Sequence, residues 1–245
     1  ATVSPDLISR LIPFSISSSP PAMGTRFWRF SVLIMQHSLS RVLRLALLFG
    51  LLASAIAAQA STRNILVLGD SISAGYGMSL EQGWVALLAE ELEEDFPGYA
   101  VINASISGET SGGGLRRLPA LLTEHDPAVV VIELGGNDGL RGYPVNALRD
   151  NLRKMATISA DTGARVVIIP VAIPPNYGRR YTDAFSASFP AVARETDSTL
   201  TPMIYNGVGT NPELMQPDGI HPTAEAQPLM LNNIRSTLLT VLETL

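Results

Sequence analysis

The chain has 245 residues, 46% of them hydrophobic, with no cysteine and a formal net charge of −5. That length is enough for one domain with a sizeable core. The missing cysteine excludes disulfides, thiolate nucleophiles and cysteine-bound metals, and the negative charge argues against nucleic acid as a partner.

The charge is unevenly spread. Residues 1–60 hold five arginines and one aspartate, a net +4, so residues 61–245 carry −9. Within the basic part, Arg41 and Arg44 precede an apolar run from Leu45 to Ala58, and Ala58-Gln59-Ala60 supplies an A-x-A cleavage site. The run is shorter than the roughly 18 apolar residues of a spanning helix. The pattern predicts a signal peptide over residues 35–60, beginning at Met35, with cleavage after Ala60. The mature chain would then start near Ser61, in the periplasm or outside the cell, with no stable membrane anchor. Ser- and Pro-rich residues 1–34 show no period and read as an upstream segment outside the mature protein. Residues 61–245 are expected to form one domain.

That domain opens on four apolar residues, Ile65-Leu66-Val67-Leu68, the mark of a strand buried on both faces. Gly69-Asp70-Ser71-Ile72-Ser73 follows, placing a serine just beyond the strand's carboxyl end, where open α/β sheets carry their ligand sites. It is not the G-x-S-x-G elbow, because Ser73 stands where that motif has its second glycine. Apolar residues at helical spacing (Trp84, Leu87, Leu88, Leu92, Phe96) predict a helix whose acids, Glu90 to Asp95, face solvent. Pro97-Gly98 stops it, and Tyr99–Ile102 is a second strand. The loop from Asn103 to Thr110 leads into a helix opened by Gly112, Gly113 and Gly114. Its spacing fits neither a G-K-[ST] nor a G-x-G-x-x-G phosphate loop.

Ala128–Leu134 is the third strand; Glu133 is unusual in so apolar a run and reads as a hydrogen-bonded structural acid. Gly135-Gly136-Asn137-Asp138-Gly139 caps it, and a helix is expected over Pro144–Asp161. Arg165–Ile173 reads as a fourth strand ending in Pro174-Pro175-Asn176-Tyr177-Gly178. A helix over Tyr181–Asp197 is expected to be interrupted by Pro190. Leu200–Tyr205 reads as a short fifth strand, followed after a polar loop by Asp218-Gly219-Ile220-His221-Pro222 and a last helix. Pro222 suits the first turn of that helix. Strands alternating with helices imply βαβ units and a parallel sheet covered on both faces. Every polar, glycine-containing stretch then falls at one edge of the sheet.

A serine that cleaves esters needs a base, a carboxylate to orient the base, and donors for the oxyanion. Of three histidines, His37 lies in the leader and His125 sits at a helix end, where an imidazole simply complements the dipole. His221 stands three residues after Asp218, so the carboxylate could hold Nδ1–H while Nε2 faces Ser71; a surface turn would carry the same D-x-x-H. Ser71 N–H, Gly108 N–H and the Asn137 amide are candidate oxyanion donors, although Asn137 would also suit a helix cap or a turn.

Taken in order, G-D-S-I-S, S-I-S-G-E-T, G-G-N-D and D-G-I-H-P resemble the four blocks of the SGNH (GDSL-type) hydrolase family, over about Ile65 to Gln227. The resemblance implies a three-layer α/β/α sandwich around a flavodoxin-like, doubly wound sheet of five parallel strands. It implies Ser71 as nucleophile, His221 as general base and then acid, Asp218 as its orienter, and Ser71, Gly108 and Asn137 as the oxyanion hole. In close relatives the loop matching residues 173–177 covers the acyl chain, which makes Ile173, Pro174, Asn176 and Tyr177 substrate-binding candidates. The activity implied is hydrolysis of acyl esters and thioesters, such as aryl esters, acyl-CoA and lysophospholipid-type substrates, through an acyl-enzyme. A carbohydrate O-acetylesterase is an alternative on the same fold, and an inert lipid- or glycan-binding domain a third reading. No metal-ligand set or cofactor motif is visible, the partner expected is a small-molecule substrate, and a monomer is the default.

Overall fold

The computed structural model describes residues 62–245; the expected signal peptide, the segment upstream of it and His37 lie outside the described residues. Five strands form one parallel sheet: β1 (Arg63–Gly69), β2 (Tyr99–Asn103), β3 (Pro127–Glu133), β4 (Arg165–Ile168) and β5 (Thr199–Leu200), in the order β2-β1-β3-β4-β5. Strand order reverses between β1 and β3, and a crevice at such a switch point is where doubly wound sheets bind ligands.

Side chains of a strand alternate between the two faces. Ile65 and Val67 of β1 therefore pack with Val129 and Val131 against α1 (Trp84–Asp95) and α6 (Gln227–Glu243). Leu66 and Leu68 pack with Val130 and Ile132 on the other side, against α2 (Ser111–His125), α4 (Val145–Asp161) and α5 (Arg179–Glu195). A single turn of helix, α3 (Gly136–Leu140), leaves β3. The result is the expected three-layer α/β/α sandwich. Among the described residues no helix is long and apolar enough to cross a membrane.

Several element boundaries differ from the sequence expectation. β4 spans Arg165–Ile168 rather than running to Ile173. Ile169 N–H still donates to Ile132 O at 3.0 Å, but Pro170 has no donor and the ladder stops there. β5 is only Thr199–Leu200, not Leu200–Tyr205: Thr201 N–H reaches Ile168 O at 3.1 Å, and Pro202 then ends the pairing. Pro190 does not interrupt α5. Phe185, Phe189, Val192 and Ala193, all buried, hold both halves of the helix on the sheet and offset the lost hydrogen bond. Pro222 does not open the last helix but pairs with Met215 in an isolated antiparallel bridge. A 3-10 turn, Ala224–Ala226, follows, and Pro228 occupies the first turn of α6. His221 thus sits in a braced loop ahead of the helix.

Leu66 is fully buried in the central strand β1. Leu66→Ala should destabilise the fold by about 3 kcal/mol, as buried leucine truncations do. Urea denaturation should show a lower midpoint with an unchanged slope.

Candidate active site

Beyond Gly69 the chain folds into a tight turn, with Ala74 N–H donating to Asp70 O at 2.9 Å and Tyr76 N–H to Ser71 O at 3.0 Å. No side chain fits at Gly69: a Cβ there would lie 2.7 Å from Ser73 Cβ and 2.9 Å from Glu133 Oε2. That close approach lets Ser73 Oγ donate to Glu133 Oε2 at 2.8 Å, so Glu133 is the hydrogen-bonded acid its sequence context suggested. The turn aims Ser71, nearly buried, at the floor of a cavity of about 960 Å³.

The loop ahead of α6 meets it from 150 residues away. His221 Nε2 lies 2.9 Å from Ser71 Oγ, and Nδ1 lies 2.7 Å from Asp218 Oδ2. Asp218 Oδ1 accepts the backbone N–H groups of Ile220 and His221 at 2.9 and 3.0 Å. Its hydrogen bond with the His221 ring, followed by those two backbone donors, holds the Asp218 carboxyl down to about 2. The Tyr76 ring lies over the imidazole, 4.3 Å between centroids.

The three candidate oxyanion donors line the same cavity. Gly108 lies in the loop after β2, and its carbonyl accepts a hydrogen bond from Arg141 Nη2 at 3.1 Å. Asn137 lies in the first turn of α3 rather than at its cap. Its Nδ2 donates one hydrogen to Asp70 Oδ2 at 3.2 Å, which leaves the second for the cavity. Ile173 and Pro174 line the cavity wall with Pro175 and Leu140. Asn176 and Tyr177 are not among the lining residues; Tyr177 Oη–H braces the wall by donating to Leu140 O at 2.6 Å. His125 ends α2 and contributes its carbonyl to Asn64, at the edge of the sheet where β1 and β3 begin, opposite the blocks that follow the strand ends.

Two acids lie beneath the serine. Burial pushes the Asp70 carboxyl up to about 6, against the lowering by Ile72 N–H and the Asn137 amide. Burial, with the Asp70 charge beside it, raises Glu133 well above the usual carboxylate range. The sequence reading missed Asp70 as a partner of Asn137, because an acid inside G-D-S carries no mark of which side chain it meets. Tyr76 was missed too, since a lone aromatic in a turn has no period to expose it.

A serine, an imidazole and a carboxylate stand in hydrogen-bonded series at the carboxyl edge of a parallel sheet, an arrangement chemically able to activate a hydroxyl. The chain belongs to the GDSL-like lipase/acylhydrolase family, whose sequence model matches residues 67–228. Its similarity to an esterase, TesA, of Pseudomonas aeruginosa is 51% identity over 197 residues, covering 80% of this chain and 98% of that one. It is 46% identical over 186 residues to thioesterase 1/protease 1/lysophospholipase L1 of Escherichia coli, covering 76% and 87% of the two chains. A crystal structure of TesA superposes with a TM-score of 0.71 at 51% identity, covering 73% of this chain and 99% of that one.

The raised Asp70 sets a testable pH signature. The folded state holds that proton up to about pH 6, whereas an unfolded aspartate releases it near 3.8, so the group removes stability as pH rises through this window. Asp70→Asn abolishes the titration. The difference in Tm between variant and wild type should move in the variant's favour as pH rises from 4 to 6, as read by thermal melts at successive pH values.

Proposed function

We propose that this enzyme is a serine esterase and thioesterase that transfers an acyl group to Ser71 and then to water. The observation carrying the reading is the unbroken series Ser71 Oγ–His221 Nε2, His221 Nδ1–Asp218 Oδ2, at 2.9 and 2.7 Å. As Ser71 Oγ attacks the acyl carbon, its proton passes to His221 Nε2, and the imidazolium is stabilised by the ionised Asp218. The negative oxygen of the tetrahedral intermediate is received by Ser71 N–H, Gly108 N–H and the free hydrogen of Asn137 Nδ2. The intermediate collapses as His221 returns the proton to the departing alcohol or thiol. A water then gives a proton to His221 as it attacks the acyl-enzyme carbon, and His221 passes that proton to Ser71 Oγ as the acid departs.

The wall at Leu140, Ile173, Pro174 and Pro175 favours acyl chains longer than acetyl. The apolar character of that wall, which offers a sugar few hydrogen-bonding partners, weighs against the carbohydrate O-acetylesterase reading. Relatives bearing the names esterase and thioesterase 1/protease 1/lysophospholipase L1 support acyl esters, acyl thioesters and lysophospholipids as the substrate range. The basic, apolar leader supports export, with a mature enzyme starting near Ser61.

Ser71→Ala should lower turnover of a nitrophenyl octanoate by several orders of magnitude, as loss of a triad member does elsewhere. It should also abolish labelling by a fluorophosphonate. Retained turnover in that variant overturns the assignment, and octanoyl esters turning over no faster than acetyl esters would overturn the chain-length preference.

A further inference from the structure

The contact between Ser71 and His221 joins two loops that come from opposite ends of the domain, and the hydroxyl–imidazole bond alone would leave their spacing loose. Gln216 closes that gap. Its side-chain Nε2 donates to Tyr76 O at 2.7 Å, in the turn that carries Ser71, and to Pro222 O at 2.9 Å, beside His221. Its backbone N–H donates to His221 O at 2.7 Å, and its carbonyl accepts Gly219 N–H at 2.9 Å. One carboxamide therefore uses both of its hydrogens on main-chain carbonyls from the two halves of the site.

Both anchor points are themselves fixed. Tyr76 N–H is bonded to Ser71 O, so the carbonyl that Gln216 holds moves with the serine. On the other side, Met215 and Pro222 are bridged, and Thr223 N–H donates to Leu214 O at 2.8 Å. The turn also makes room for the carboxamide. Gly77, at φ +77°, lies directly under it, and a Cβ there would collide with Gln216 Oε1. Gln216 is not among the residues lining the cavity.

We propose that Gln216 is a positioning residue, a latch that fixes the loop of His221 against the turn of Ser71 and so sets the distance over which their proton is transferred. The proposal rests on the Ser71–His221 reading above. A displacement of about 1 Å in such a pair can cost as much as a hundredfold in rate.

The test compares wild type with Gln216→Met, which keeps the length and removes the donors, and Gln216→Glu, which keeps the shape and replaces both donors by acceptors. Rates are normalised to active sites titrated with a fluorophosphonate. The latch predicts a ten- to hundredfold fall in kcat per titrated site in both variants, with KM within about threefold of wild type. Gly77→Ala, which drives the carboxamide from its seat, should reproduce the kcat loss. A merely structural role would lower Tm and the titrated fraction while leaving kcat per site unchanged, and that result overturns the proposal, as does kcat within twofold of wild type. Absence of fluorophosphonate labelling at Ser71 in the wild-type enzyme would instead sink the underlying serine mechanism.

Discussion

The hydrogen bond between His221 Nε2 and Ser71 Oγ spans 150 residues of chain, and the architecture is what makes it possible. In a sheet whose strands are all parallel, every strand ends at the same edge, so the loops after β1, β2 and β3 and the loop ahead of α6 converge without special guidance. Switching direction between β1 and β3 opens the crevice in which they meet. The entropy of joining distant segments is met by the sheet and the two apolar layers before any side chain of the site is positioned. What remains for local contacts is the last ångström: a turn closed by Asp70 O and Ser71 O, and a loop braced by the Met215–Pro222 bridge.

Three acids near the serine illustrate how environment, not residue type, decides charge. Asp218 is well exposed, its side chain at 39%, and yet its carboxyl is held down to about 2. Hydrogen bonds do this: one from the imidazole and two from backbone N–H groups, all favouring the anion. Asp70 and Glu133 are buried, and desolvation dominates, raising both. A permanently ionised Asp218 is suited to hold one tautomer of His221.

Much of this was legible in the sequence because it is local. The run Ile65–Leu68, flanked by Asn64 and Gly69, fixes a buried strand, and the spacing of Trp84, Leu88 and Leu92 fixes α1. The four blocks are short and each sits on one loop, so their residues could be named before their meeting was seen. β4 and β5 were read as too long for a physical reason: apolarity reports burial, not ladder hydrogen bonding. Ile169 and Val171 are indeed buried, at 0% and 2%, but Pro170 separates them and withdraws the donor that pairing needs. Pro190 failed in the opposite sense, since propensity yields to the packing of Phe185 and Phe189 on the sheet.

Beyond the facing of Ser71 and His221, contacts between loops were not legible. Asp70 with Asn137, the Tyr76 ring over His221 and Arg141 with the Gly108 carbonyl each join residues that have no shared period or motif. They nonetheless act on the same proposed oxyanion and base. Asp70 takes one hydrogen of the Asn137 amide, which selects the amide's orientation and points the other into the cavity. Arg141 anchors the Gly108 carbonyl, which holds in place the residue whose N–H is proposed to receive the oxyanion. The named residues of the blocks supply the chemistry, and these unannounced neighbours supply its aim. In a fold that brings its loops together from far apart in sequence, specificity of aim has to come from tertiary contacts of this kind.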